Sequence, residues 1–142
     1  MTAGIVNIRG KAYRTVAYRV TEFRDLYPID SGWSIETAVV ESNADVVVMQ
    51  AIVKSPGGRV VATGWAEEAR TRTGINSTSA VENCETSCIG RALSACGFGG
   101  SEYASANEVE AAIEQSKDDQ SWTKDEEKRF KAVIKKWGWT MA

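Results

Sequence analysis

Apolar positions along the chain fall into a few distinct rhythms. Val16, Val20, Phe23 and Tyr27 recur at helical spacing, which predicts a helix over 15–26 that Pro28 brings to a stop. The stretch from Trp33 to Val39 alternates and reads as a half-buried strand. Val46 to Lys54 is valine-rich and reads as a second strand, buried on both faces near its middle. Ser55-Pro56-Gly57-Gly58 is a strong turn signal, and residues 59–68 run back as a third strand. Three strands with short connections form an antiparallel meander. Beyond them, Ser79-x-x-Glu82, Ser105-x-x-Glu108 and Thr123-x-x-Glu126 fit the capping box, in which side chains satisfy the free amides of a helix start. These signals predict helices over 80–96, ending at Gly97, over 106–115, and from 124 to a stop at Gly138. The last carries Phe130, Val133, Ile134 and Trp137 on one stripe.

The fold class expected is α+β. An N-terminal helix precedes a three-stranded meander packed against a long helix (a β-β-β-α core), and further helices follow. The expected division is a core over 1–115, a polar linker over 116–122 and an amphipathic C-terminal helix with its tail over 123–142.

Composition narrows the chemistry. At 142 residues, with 43% hydrophobic and 25% charged content, the chain suits one globular domain. No apolar run is long enough to span a membrane, and no secretory pattern opens the sequence, so cytoplasmic residence is the expectation, in the host if the protein is phage-encoded. Three cysteines, Cys84, Cys88 and Cys96, crowd one segment, and their odd number argues against a disulfide framework. There is no histidine, which removes the commonest metal ligand, the commonest general base and every histidine-dependent catalytic relay. No phosphate-binding glycine-lysine loop is present, since Gly57-Gly58 belongs to a hairpin turn. No catalytic residue, metal site or cofactor is expected, and a non-enzymatic role follows. A carboxylate pair at Glu82 and Glu85 could share a cation, but capping already accounts for Glu82.

Net charge is −2, unevenly spread. Residues 1–28 carry Arg9, Lys11, Arg14, Arg19 and Arg24 against Glu22 and Asp25, while residues 101–142 are mildly acidic. A local basic patch can bind phosphates without a basic whole.

Lys11, Arg14 and Arg19 with Tyr13 and Tyr18 mix cations and aromatics as a single-strand groove requires, and equally suit a solvated helix face over buried rings. Arg70, Arg72 and Asn76 lie in the polar connection before the long helix, which is either an anion site at a helix N-terminus or a plain loop. Winding the long helix at about 100° per residue gathers Ala80, Asn83, Cys84, Ser87, Cys88, Gly90, Arg91, Ser94 and Ala95 on one face. Arg91 is the one large residue there. It must find a carboxylate such as Glu67 or Glu68, a set of carbonyls, or a phosphate. Cys84 and Cys88, one turn apart, read as buried small hydrophobes rather than as metal ligands.

The block INSTSAVENCETSCIGRALSACGFGG, followed by YASANEVEAAI, resembles the phage single-strand annealing proteins of the Rad-fifty-two/Erf/RecT-like recombinase superfamily. The upstream IRGKAYRTVAYRVTEFRDLYP and the strand GRVVATGWAEEA are similar to the same group, so the likeness covers about residues 7–115. It implies a core that assembles into a homo-oligomeric ring or filament. Single-stranded DNA would lie in a positively charged groove, backbone inward and bases outward, so that complementary strands anneal without nucleotide hydrolysis. Arg91 matches the arginine of that group's RAL motif, and the hairpin supplies Lys54, Arg59, Arg70 and Arg72. Gly90 stands where the wider group often has a second basic residue, and the near-neutral charge implies salt-sensitive binding. The DNA-binding residues expected are thus Lys11, Arg14, Arg19, Lys54, Arg59, Arg70, Arg72, Asn76 and Arg91. A replication or recombination protein is a further partner, through the tail KKWGWTMA. Two other readings remain: a strand-protecting protein that does not anneal, and an oligomeric scaffold for a protein ligand.

Overall fold

The computed structural model describes residues 3–120 and 124–137. A hairpin absent from the sequence expectations opens the chain, with β1 (Ile5–Ile8) paired antiparallel to β2 (Lys11–Arg14). Its two-residue turn, Arg9-Gly10, has positive φ at both positions, 52° and 83°, the backbone twist that suits a tight hairpin. A four-residue strand with no clean alternation offers little periodicity, which is why only the glycine hinted at it.

Helix α1 (Val16–Leu26) follows, capped by Thr15, whose hydroxyl accepts from the Tyr18 amide at 3.1 Å. The meander consists of β3 (Ser34–Ser42), β4 (Val46–Lys54) and β5 (Val60–Ala69) in that order, antiparallel throughout. β3 runs three residues beyond the alternation because a bulge near Val40 lets it keep pairing with β4. Along β4, Val47, Met49, Ala51 and Val53 are buried, while Val46, Val48, Gln50, Ile52 and Lys54 are only half-buried. The expectation of burial on both faces is therefore corrected: the helices lie on one face of the sheet.

Helix α2 (Ala80–Leu93) is laid on that face. Its buried stripe is Ala80, Cys84, Cys88 and Ala92, four residues apart, joined by Leu93 and Gly90. Ala92 and Leu93 fall outside the face that winding the sequence gathers around Arg91. Contact with α1 and the sheet together widens the buried arc beyond a single face. Gly64 of β5 lies so close that a Cβ there would fall 2.4 Å from the Ala92 amide nitrogen and the Cys88 carbonyl oxygen. Gly90 likewise meets Val16 of α1, with an added Cβ 2.7 Å from its methyl group. The helix ends three residues earlier than expected, at Leu93, and a wider π-turn over Ser94–Phe98 carries the chain out through Gly97 at φ 101°.

Of the three capping boxes, one is half-formed. Ser105 accepts from the Glu108 amide at 3.2 Å, but Glu108 turns to Arg91 instead of reaching back. Ser79 makes no side-chain cap bond, and Thr123 lies outside the described residues. Helix α3 (Ala106–Gln120) continues through most of the segment read as a linker, since nothing in Ser116 to Gln120 breaks a helix. Close packing divides the chain into two compact units, 1–109 and 110–142. The second contains the greater part of α3 and helix α4 (Lys124–Trp137), with Lys135 and Lys136 in its last turn. Gly138 and the tail beyond it lie outside the described residues. Among the described residues no helix is long and apolar enough to cross a membrane.

The core of the first unit joins the α2 stripe to the inner residues of β4 and to Phe23 of α1. Phe23, Tyr27, Trp33 and Phe98 close its end, with Tyr27 and Trp33 stacked at 3.9 Å between centroids. Within it burial pushes the Cys88 thiol up to about 11, helped by neighbouring Cys84 and Glu85, and raises Cys84 in the same direction.

Gly64→Ala should destabilise the protein by about 3 kcal/mol, because backbone rather than a flexible side chain occupies the new methyl's place. Urea unfolding measures it, and an unchanged midpoint would disprove the close approach. A second expectation concerns alkaline stability. The unfolded Cys88 thiol ionises near 9 and the native one only near 11, so stability should fall as pH rises from 9 towards 11. Cys88→Ala should flatten that fall, as read from unfolding midpoints at successive pH values.

Candidate nucleic-acid interface

The turn out of α2 continues as a glycine-rich loop, Gly97 to Ala104, and four of the nine expected basic or polar residues converge on it. Lys11 at the start of β2 reaches Glu102 at 3.9 Å and remains 64% exposed. Arg14 at the end of β2 pairs with Glu22, donates to the Phe98 carbonyl at 3.2 Å and lies over the Tyr18 ring. Gly100 makes room for it, since a Cβ there would sit 2.7 Å from Arg14 Nε. Arg91, on α2, donates to Glu108 at 3.3 Å and stacks its guanidinium over the Tyr103 ring at 5.1 Å.

Arg19 is the fourth, and its role differs from the one expected. It is fully buried. Its guanidinium donates to the carbonyls of Gly90 at 2.8 Å, Gly99 at 3.3 Å, Glu102 at 3.0 Å and Ala104 at 3.1 Å. Burial lowers its pKa, while Glu108 acts in the opposite direction. Arg19 therefore ties α1 to the end of α2 and to the loop, and cannot also hold a phosphate. Its position had a legible signal: three residues after Val16 and four before Phe23, it falls on the apolar stripe of α1, not elsewhere on the circumference.

The remaining candidates lie elsewhere. Lys54 pairs with Glu36 at 2.7 Å near the β4–β5 turn, and Arg59 sits exposed in that turn. At the opposite end of β5, Arg70 is exposed but donates to the Asn43 carbonyl at 2.8 Å and to the Ser42 hydroxyl at 3.0 Å. Asn76 donates to Glu68 at 2.9 Å and accepts from Asn83 at 2.9 Å, which makes it a brace between β5 and α2. Among the described residues, Arg59 and Arg72 are exposed and have neither an ion pair nor a side-chain hydrogen bond. The partner of Arg91 is Glu108, not Glu67 or Glu68. Glu68 is engaged with Asn76, and Glu67 points away from α2.

The loop cluster thus presents Lys11 and Arg91 as accessible cations and Tyr103, 49% exposed, as an accessible ring. Arg14 stands behind them. A cation beside an aromatic face is the pairing that holds a phosphate and a base together. Sequence reasoning passed over Tyr103, although it lies in a glycine- and serine-rich loop where a buried role is hard to find.

A family described as the Slr1353 N-terminal dsRNA-binding domain-like domain matches residues 20–96, just over half of the chain, and the chain belongs to that family. The match runs from α1 through the meander and along α2, a domain type of nucleic-acid-binding character. No curated protein and no solved structure matches the chain. Lys11, Arg14 and Tyr103 lie outside the matched span, and the likeness to annealing proteins rests on the sequence motifs alone.

Arg19→Ala should lower stability by about 3 kcal/mol, since four carbonyls lose a charged donor, and Arg19→Lys should recover only part of it. Urea unfolding reads the effect. A variant with an unaltered midpoint and weakened DNA binding would return Arg19 to the surface role.

Proposed function

We propose that this chain binds single-stranded DNA and anneals complementary strands, as an assembly of identical subunits in phage recombination and without nucleotide hydrolysis. The observation that carries the reading is the Arg91–Tyr103 pair at the glycine-rich loop, with Lys11 beside it. A strand passing there would meet a cation for its phosphate and an open ring for its base. The nucleic-acid-binding character of the family supports the general class, and the RAL and glycine-rich motifs support the finer one. Lys11, Arg14 and Arg91 each face a carboxylate. A phosphate must therefore compete with Glu102, Glu22 and Glu108, and binding should be weak per subunit and strongly salt-dependent. Many copies on one strand offset weak individual sites through avidity.

A second reading, the binding of double-stranded RNA, is favoured by the family's description. Labelled single-stranded DNA and duplex RNA titrated against the full chain separate the two. Tighter binding of the single strand, with faster pairing of complementary oligonucleotides, is the expected result. Tighter binding of duplex RNA without faster pairing would overturn it. Arg91→Ala and Tyr103→Ala should each weaken single-strand affinity about tenfold and leave assembly intact. Unchanged affinity with lowered stability would mean that Arg91 only braces Glu108.

A further inference from the structure

The loop site leaves Arg59, Arg72 and the uncovered face of the sheet without a role. Helices lie against the inner face; the outer one shows Val46, Val48, Gln50, Ile52 and Lys54 of β4 with Val61, Thr63, Trp65 and Glu67 of β5. An antiparallel sheet with one solvated face ordinarily places polar residues there. Here the central strand is mostly apolar on that side, and Trp65, 50% exposed, stands near the middle of the face. Gln50 is its direct cross-strand neighbour, and Ala38 of β3 lies beyond Gln50 in the same row.

We propose that the outer face is a second single-strand surface: a strand lies along β5, with phosphates held by Arg59 at one end and Arg72 at the other, and a base stacked on Trp65. This rests on the nucleic-acid reading above but concerns a different surface, on the other side of the sheet from Arg91 and Tyr103. β5 spans ten residues, or roughly 33 Å of extended chain, with Trp65 near its middle, Arg59 directly before it and Arg72 three residues beyond its end. Both arginines are exposed and lack ion pairs among the described residues, unlike the cations of the loop cluster. Trp65 supplies a π-face, and the Gln50 amide, donor and acceptor together, stands where it can meet a base edge. The small Ala38 leaves that row open.

Charge on the face supports a strand more than a protein partner. Lys54 neutralises Glu36 at 2.7 Å, and the arginines at the two ends would find no counter-charge in an apolar interface. Glu67, two positions from Trp65 on the same face, opposes a phosphate backbone and limits affinity. Its removal therefore has a defined sign.

The test is fluorescence anisotropy of a labelled oligothymidylate of about 16 nucleotides with the full chain at low salt. Trp65→Ala should weaken binding about tenfold, and Trp65→Phe should restore most of it. Glu67→Gln should tighten binding. Arg59→Ala and Arg72→Ala should each reduce the salt slope by about one. If Trp65→Ala does not fold, Glu67→Gln, Arg59→Ala and Arg72→Ala still decide the matter, since a face that binds no DNA would leave all three at wild-type affinity and salt slope. Loss of binding in Tyr103→Ala with no change in any of the sheet variants would overturn this surface and leave the proposed function standing. A wild-type chain that binds no single strand would overturn both. A change in native mass, rather than in affinity, on replacing Trp65 would show the face to be a contact between copies, and would also overturn it.

Discussion

The backbone contact between α2 and β5 at Gly64 governs the rest of this molecule. Helices normally stand off a sheet by the thickness of their side chains, but here the stripe Ala80, Cys84, Cys88 and Ala92 is small, and Gly64 offers no side chain at all. The helix therefore settles onto the strand at 2.4 Å from any added Cβ, and the cysteines fill what space remains. This close seating also brings Gly90 against Val16, so that α1 is held by the same helix. The direction of α2 decides where Arg91 emerges and where the glycine-rich loop begins.

Arg19 extends that constraint to the loop. A buried guanidinium is costly unless its donors are engaged, and four carbonyls from Gly90 to Ala104 take the two terminal nitrogens of Arg19, while its Nε has no hydrogen-bond partner among the described residues. The loop is thus fastened from beneath by α1 instead of being held by packing of its own, since glycine and serine have little to pack. Tyr103 is left free to lie against Arg91 at the surface. The basic front of the chain owes part of its charge to this internal work. What looks like an excess of cations in the sequence is, in the fold, one buried fastener and several partly neutralised surface groups.

Accessible cations consequently fall into two sets, one beside the loop and one in the connections on either side of β5. Near the loop they sit beside carboxylates and an exposed ring; Arg59, directly before β5, and Arg72, three residues past its end, have no ion pair among the described residues. Neither set is large, and each phosphate that a cation neutralises contributes only modestly at physiological salt.

The pattern of apolar residues determined the meander, its turn and the helices on either side, because alternation and helical spacing are local properties that burial on one face imposes directly. β4 spans Val46–Lys54 as its valines imply, and α1 begins one residue after its cap. The opening hairpin was hidden because four-residue strands leave too short a rhythm. Side-chain partners were less legible still. Arg19, Arg70 and Asn76 look like surface groups in the sequence, yet they bond across 71, 27 and 8 positions respectively. Arg91 had to find a carboxylate, a set of carbonyls or a phosphate, and only the course of α3 put Glu108 within reach. Sequence alone determined the meander, the helices beside it and which residues are chemically able to hold a phosphate. Tertiary structure decided which of them face water, because ion pairs and carbonyl clusters are made between segments whose proximity no local pattern records.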